Sequence, residues 1–272
     1  CRYLNTHAKG GDTGNFYFIA NEMTDSVLIF GSSRAIHHYN PKILEDSLQT
    51  TVYNCGLDGN GIIFNYGRLL TVVDHYTPSM IIYDVMPKFD MIADDNSRYL
   101  QAQRRWYDVD GVAQIFHDVN PLESLKMRSN LYRYNETFIQ MLSDNVKPMQ
   151  NISYHGFKPI EESMNYDSPA KHIEWTGWDP LKLKYFQAFA DLCRDRGIEL
   201  VISYSPFYKS QTDPALIAFT EFAKANNLRV FDYSTFEEIA EDPSCFSDAS
   251  HLNHIGADRF TNHFASTLLK SR

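Results

Sequence analysis

Three short apolar runs separated by helical stripes constrain this chain more than anything else in it. Val27-Leu28-Ile29-Phe30, Thr51-Val52-Tyr53-Asn54 and Met80-Ile81-Ile82-Tyr83-Asp84-Val85 have the length and β-branched content of buried strands. Between the first two, Asn40-Pro41 signals a helix start, and Ile43, Leu44 and Leu48 give a short helical face. Between the second and third, Ile63, Tyr66, Leu69, Leu70 and Val73 form one stripe of a helix over 62–75, which Thr77-Pro78 stops. Strand, helix, strand, helix, strand within about sixty residues predicts a parallel sheet with right-handed crossovers.

The same rhythm returns late in the chain. An amphipathic helix over 181–196 closes at Gly197, a strand follows over 198–204, then a helix over 213–226, a strand over 229–232 and a last helix over 254–269. The middle, about 87–180, is aromatic and charged. Helices are predicted there near 97–107, 121–129 and 131–143, before an irregular stretch from Tyr154 to Trp178. It reads as an insertion or cap within a single domain spanning 27–272, and residues 1–26 read as a leader segment. The predicted architecture is a three-layer α/β/α sandwich with a mainly parallel, flavodoxin-like sheet of about five strands and a helical insertion.

A net charge of −9 with no basic block argues against nucleic acid as a partner. No apolar run approaches the length of a membrane-spanning helix. The four cysteines, Cys1, Cys55, Cys193 and Cys245, form no CxxC pair and have no histidine at zinc-ligand spacing, so neither a metal nor another cofactor is expected. Cys55 and Cys193 read as small core residues. Cys1 stands first where Met would be expected, which leaves two readings. One is a truncated chain. The other is a mature lipoprotein tethered to a membrane through its first cysteine.

Chemistry concentrates in three stretches. Gly31-Ser32-Ser33-Arg34 comes directly after the first strand, where open α/β folds put their sites; Ser33 reads either as a nucleophile or as part of an ordinary turn. Asp248-Ala249-Ser250-His251 offers a base suited to neutral pH and a carboxylate three residues away to orient it. Its alternative is an Asp that caps a turn beside a surface His. The loop Gly56–Gly61, with three glycines in six residues, offers backbone N–H groups to a developing oxyanion. It lacks the lysine of a phosphate-binding loop.

Taken together, Gly31-Ser32-Ser33-Arg34, Asn54-Cys55-Gly56-Leu57-Asp58-Gly59 and Asp248-Ala249-Ser250-His251 resemble, in order and spacing, three blocks of the SGNH/GDSL hydrolase superfamily. The resemblance implies Ser33 as nucleophile, His251 as general base, Asp248 as its orienting acid, and the N–H groups of Ser33 and Gly59 as the oxyanion hole. The family's Gly-x-Asn-Asp block should come after the third strand; Tyr83-Asp84-Val85-Met86-Pro87 stands there instead. Either another side chain supplies the missing donor or this is a weak or specialised member. Tyr154-His155-Gly156-Phe157-Lys158-Pro159 and the closing His251–Ala257 stretch resemble envelope-associated bacterial relatives. They imply a cell-envelope serine esterase or deacylase acting on O-acetyl groups of carbohydrate or polysaccharide. An O-acyltransferase and a catalytically weak glycan-binding protein are the alternatives.

Arg34, Asn60 and Asp84 are candidate site-lining residues, Arg34 as a ligand for a substrate carboxylate or sugar oxygen, or as the partner of a local acid. His37-His38 reads as a solvent-facing pair, with lining the site as its alternative, Asp90, Asp94 and Asp95 read as a solvated loop, and Trp106, Tyr107, Trp175 and Trp178 as packing aromatics, with stacking on sugar rings as theirs. His254, six residues from Asp248, is a second but poorer candidate base.

Overall fold

The computed structural model describes the whole chain except residues 1, 9, 93–99, 136, 147–152, 168, 170–173, 210–212 and 272. Cys1, Asp94, Asp95 and the start of the helix predicted near 97 lie outside the described residues.

Five parallel strands form the central sheet: β1 (Val27–Gly31), β2 (Val52–Asn54), β3 (Met80–Asp84), β4 (Glu199–Tyr204) and β5 (Arg229–Asp232), in the order β2-β1-β3-β4-β5. That is the flavodoxin-like order, whose chain reversal opens a crevice beside the C-terminal end of β1. The alternating side chains separate two cores. Leu28, Phe30, Ile81, Tyr83, Leu200 and Ile202 pack on one face against the helices Ile62–Val73, Pro180–Asp195 and Pro214–Ala225. Val27, Ile29, Met80, Ile82 and Val201 pack on the other against Pro41–Leu48 and the last helix, His254–Lys270.

Helix starts obey the predicted chemistry. Asn40 accepts the Lys42 N–H at 3.0 Å with Pro41 at the first helical position, and Asn253 caps the last helix through the Gly256 N–H at 3.0 Å. Helix Gly11–Asn21, in the stretch read as a leader, buries Ile19 against the first core, and Met23 just beyond it joins the same cluster. The middle region shares that core through Leu100, Val112, Ile115, Phe116 and Met127. Trp178 packs on Phe222 and Trp175 on Trp178, with ring centroids 5.5 and 5.7 Å apart. Among the described residues no helix is long and apolar enough to cross a membrane.

The stretch from Tyr154 to Met164 is irregular but firmly tied down. The Asn54 N–H donates to His155 O at 2.8 Å, the Lys158 N–H to Ile36 O at 3.0 Å, and the Met164 N–H to Phe246 O at 2.7 Å. It thereby links β2, the helix after Ser33 and the hairpin that carries the Asp-x-x-His motif. That hairpin, β6 (Phe246–Asp248) and β7 (His251–Leu252), is antiparallel.

Asp90 corrects the solvated-loop reading. It is buried, accepts the Tyr83 hydroxyl and the Met86 N–H, both at 2.6 Å, and burial pushes its carboxyl up to about 7. Cys55 and Cys193 are buried as expected, and so is Cys245.

Candidate active site

The end of β1 shapes the serine segment. Gly31 has φ +142°, and a Cβ there would sit 2.7 Å from the Asp84 carbonyl oxygen, so only glycine lets β1 and β3 end this close together. The chain then turns into the helix Ser33–His38, with Ser33 as its first residue. Its backbone N–H therefore has no acceptor within the helix. The glycine loop lies alongside: the Cys55 N–H donates to Ile29 O at 2.7 Å and the Leu57 N–H to Gly31 O at 3.2 Å. A Cβ on Gly56 would meet the Ile36 nitrogen at 2.6 Å. The glycines here permit contact between two backbones.

Across the sheet end, the β6–β7 hairpin delivers the histidine. Ser33 Oγ lies 2.8 Å from His251 Nε2, and His251 Nδ1 lies 2.9 Å from Asp248 Oδ2. The carboxylate can only accept, so Nδ1 carries the ring proton and Nε2 presents its lone pair to the serine hydroxyl. Asp248 Oδ1 also takes the Ser250 N–H at 2.7 Å and the His251 N–H at 3.0 Å. Burial raises its carboxyl, but the bond from His251 and the backbone donors outweigh that and hold it below its ordinary value. Asp248 thus does both jobs considered for it: it closes the turn and faces the ring. The His251 and Asp248 side chains are 26% and 46% exposed, so the site is open to water. A hydroxyl facing an imidazole lone pair, with a carboxylate behind the ring, is an arrangement that can activate a serine oxygen.

No family model matches the chain, and no curated protein does. Among solved structures it is similar to a protein assigned by name to the G-D-S-L lipolytic family from Desulfitobacterium hafniense, at 14% identity and TM-score 0.43, covering 89% of this chain and 98% of that one. It is similar to a protein named as an acylhydrolase from Bacteroides fragilis, at 10% identity and TM-score 0.46, covering 99% and 94%. It is also similar to a GDSL-like lipase from Bacteroides thetaiotaomicron, at 9% identity and TM-score 0.42, covering 90% and 88%. The chemistry available to this site rests on its own geometry.

Two candidate lining residues are corrected by burial. Arg34 and Asp84 are both 0% exposed, so neither reaches a substrate. Arg34 instead pairs with Asp84 at 3.8 Å, donates to the Ser205 hydroxyl and carbonyl, and stacks on Phe207 with its guanidinium 3.8 Å from the ring centroid. Asp84 also accepts the Tyr39 hydroxyl at 2.7 Å and the Ser205 N–H at 3.1 Å. Burial still raises its carboxyl, with Arg34 and these donors pulling the other way. The Asp84 carboxyl is therefore held beneath the site, against the Arg34 cation. Asn60 is buried in the glycine loop, its amide donating to Asp58 O at 2.9 Å.

The solvent-facing reading of His37-His38 fails for His38, which is fully buried; its Nε2 accepts the Leu252 N–H at 2.9 Å and its Nδ1 faces Ser205 Oγ at 2.8 Å. His37 bridges Asp58 and the Lys158 carbonyl. His254 opens the last helix and faces Glu161, 3.4 Å away. Ser205 is the residue sequence reasoning missed. Its signal was its place just past the C-terminal end of β4, at the same sheet edge as Ser33.

A second group, Asp25, Glu45 and His155, gathers beside the opposite end of β1. Glu45 is already taken up by the Tyr154 hydroxyl at 2.6 Å and the Val52 N–H at 3.2 Å, which makes the group a tie for the 154–157 turn.

Proposed function

We propose that this protein is a serine esterase or deacylase of the SGNH type, forming an acyl-enzyme on Ser33. The observation that carries the reading is the unbroken chain from Ser33 Oγ through His251 to Asp248, with contacts of 2.8 and 2.9 Å. Serine is a weak nucleophile until a base takes its proton, and here the base faces it with a free lone pair. Ser33 Oγ attacks the ester carbonyl carbon while its proton passes to His251 Nε2. The N–H groups of Ser33 and Gly59 receive the oxyanion. Collapse breaks the ester C–O bond, and His251 gives its proton to the leaving alcohol. A water deprotonated by His251 then attacks the acyl carbon, releasing the carboxylic acid and restoring Ser33.

With no asparagine after β3, two backbone donors serve the oxyanion. A missing donor costs about two to three orders of magnitude in rate, so turnover of simple esters is expected to be slow. The openness of the triad to water supports hydrolysis over transfer to a sugar hydroxyl. The substrate we propose is an O-acetyl group on a cell-envelope polysaccharide, supported by the sequence resemblance of the 154–159 and 251–257 stretches.

A panel of short acyl esters, acetylated glycans and a serine-directed fluorophosphonate tests both levels. Wild type should release acetate and take the label, and Ser33→Ala should do neither. Equal inertness of wild type and variant across the whole panel would remove the esterase reading. Activity on aryl esters without release of glycan acetate would remove only the substrate.

A further inference from the structure

Every group in the triad is accounted for except what sets its spacing, since Ser33 and His251 sit on separate elements 218 residues apart. The serine helix is six residues long, and its last residue, His38, is wholly buried. The Leu252 N–H can only donate, so His38 Nε2 is an acceptor and the ring proton is on Nδ1, which donates to Ser205 Oγ at 2.8 Å. Leu252 is the neighbour of His251 on β7. Ser205 is in turn clasped by Arg34, one residue after Ser33, through Nε at 3.1 Å and Nη2 at 2.6 Å, and its own N–H is fixed on Asp84.

The loop of contacts therefore closes. It runs from Ser33 through its helix to His38, across to the peptide beside His251, and back through Ser205 and Arg34 to the residue beside Ser33. It ties the ends of β1, β3 and β4 to β7, and nothing in it needs substrate.

We propose that His38 is a positioning residue: it fastens the strand of the catalytic base to the helix of the nucleophile and so fixes the approach of His251 Nε2 to Ser33 Oγ. The proposal rests on the esterase reading and deepens it. His38 is also held neutral, by burial first and then by Arg34, so its ring adds no positive charge beside the imidazolium that forms on His251, whose ring packs edge-on 6.2 Å away. A misplacement of about 1 Å between reacting groups can cost about a hundredfold in rate, which sets the scale of the expected effect.

The test uses three substitutions. His38→Gln can still accept the Leu252 N–H through its amide oxygen. His38→Asn is too short to reach it, and His38→Leu fills the space without a polar atom. For ester hydrolysis, kcat should fall about ten- to a hundredfold in the Asn and Leu variants, with KM within about twofold, and Gln should recover most of it. Ser205→Ala, which removes the other partner of the ring with little loss of volume, should move kcat in the same direction, and it serves where a His38 variant does not fold. Imidazole ¹⁵N NMR of His251 supplies a readout independent of turnover: its signals should shift in Asn and Leu and return in Gln. Wild-type kcat and unshifted His251 signals in folded His38→Leu or Ser205→Ala overturn the proposal. If no Ser33-dependent hydrolysis is found in wild type, the esterase reading falls alone, and the NMR series still decides the role of His38.

Discussion

His37 Nε2 lies 3.2 Å from the carboxylate of Asp58, so the helix that begins at Ser33 also grips the glycine loop expected to hold the oxyanion. The other ring nitrogen faces the Lys158 carbonyl at 2.5 Å. The hydrogen bond from His37 draws the Asp58 carboxyl below its ordinary value against the opposing effect of burial. The Asp58 side chain is 58% exposed, so the pair contributes little to stability. Asp58→Ala is therefore expected to lower kcat about tenfold by freeing the loop, with Tm nearly unchanged. A drop in Tm matching the loss of rate would assign the pair to folding instead.

Asp248→Asn separates orientation from ionisation. The carboxylate takes three N–H donors, two from backbone and one from His251. An amide can keep the backbone contacts through its oxygen but then turns its NH₂ toward His251 Nδ1, favouring the wrong tautomer. Steady-state kinetics should show kcat down by about two to four orders of magnitude, while fold and ligand access persist. A loss below tenfold would mean that the acid is dispensable here.

Gly56→Ala tests the close approach of loop and helix. The new Cβ would stand 2.6 Å from the Ile36 nitrogen, a backbone atom that cannot swing aside. The loop must move off the serine helix, at about 1–3 kcal/mol of stability by urea titration, with a larger proportional loss of esterase rate. Unchanged stability and rate would show that the loop relaxes without cost.

Arg34→Met should destabilise strongly although Arg34 never meets substrate. It leaves Asp84 buried and without its cation, and Ser205 without its clasp. Breaking a buried pair from one side typically costs about 3–5 kcal/mol. Adding Asp84→Asn should recover part of that loss, because the surviving charge goes with it. Denaturant titration of the single and double variants checks both.

Asp90 carries a pH dependence of defined sign. Its carboxyl is raised by burial from 3.8 to about 7. A group raised on folding stabilises most below its unfolded value, and that contribution fades as pH rises through the folded one. Between those two values the folded state binds the extra proton, so the contribution of Asp90 declines from about pH 4 to about pH 7. His38, lowered on folding, acts in the opposite direction, its contribution lost as pH falls. Asp90→Asn removes only the first effect. The stability of the variant relative to wild type should rise between about pH 5 and about pH 8. A difference independent of pH would show that Asp90 does not titrate between those values.

What the amino-acid order determined by itself is the frame: five strands, the helices between them, and three short motifs that meet at one end of the sheet. Those features are local. An apolar run has the length of a strand, Asn-Pro starts a helix, and an Asp three residues before a His can reach its ring without help from the rest of the fold. Tertiary structure decided the rest. Arg34 and Asp84 look like polar residues at a site mouth and are fully buried; His38 looks exposed and is a wall of the same buried network. Asp90 looks like part of a charged loop and is sealed beside Tyr83. The reason is that burial and protonation depend on partners far along the chain. Ser205 is 171 residues from Arg34 and Leu252 is 214 from His38, and no local pattern encodes which of those groups will meet.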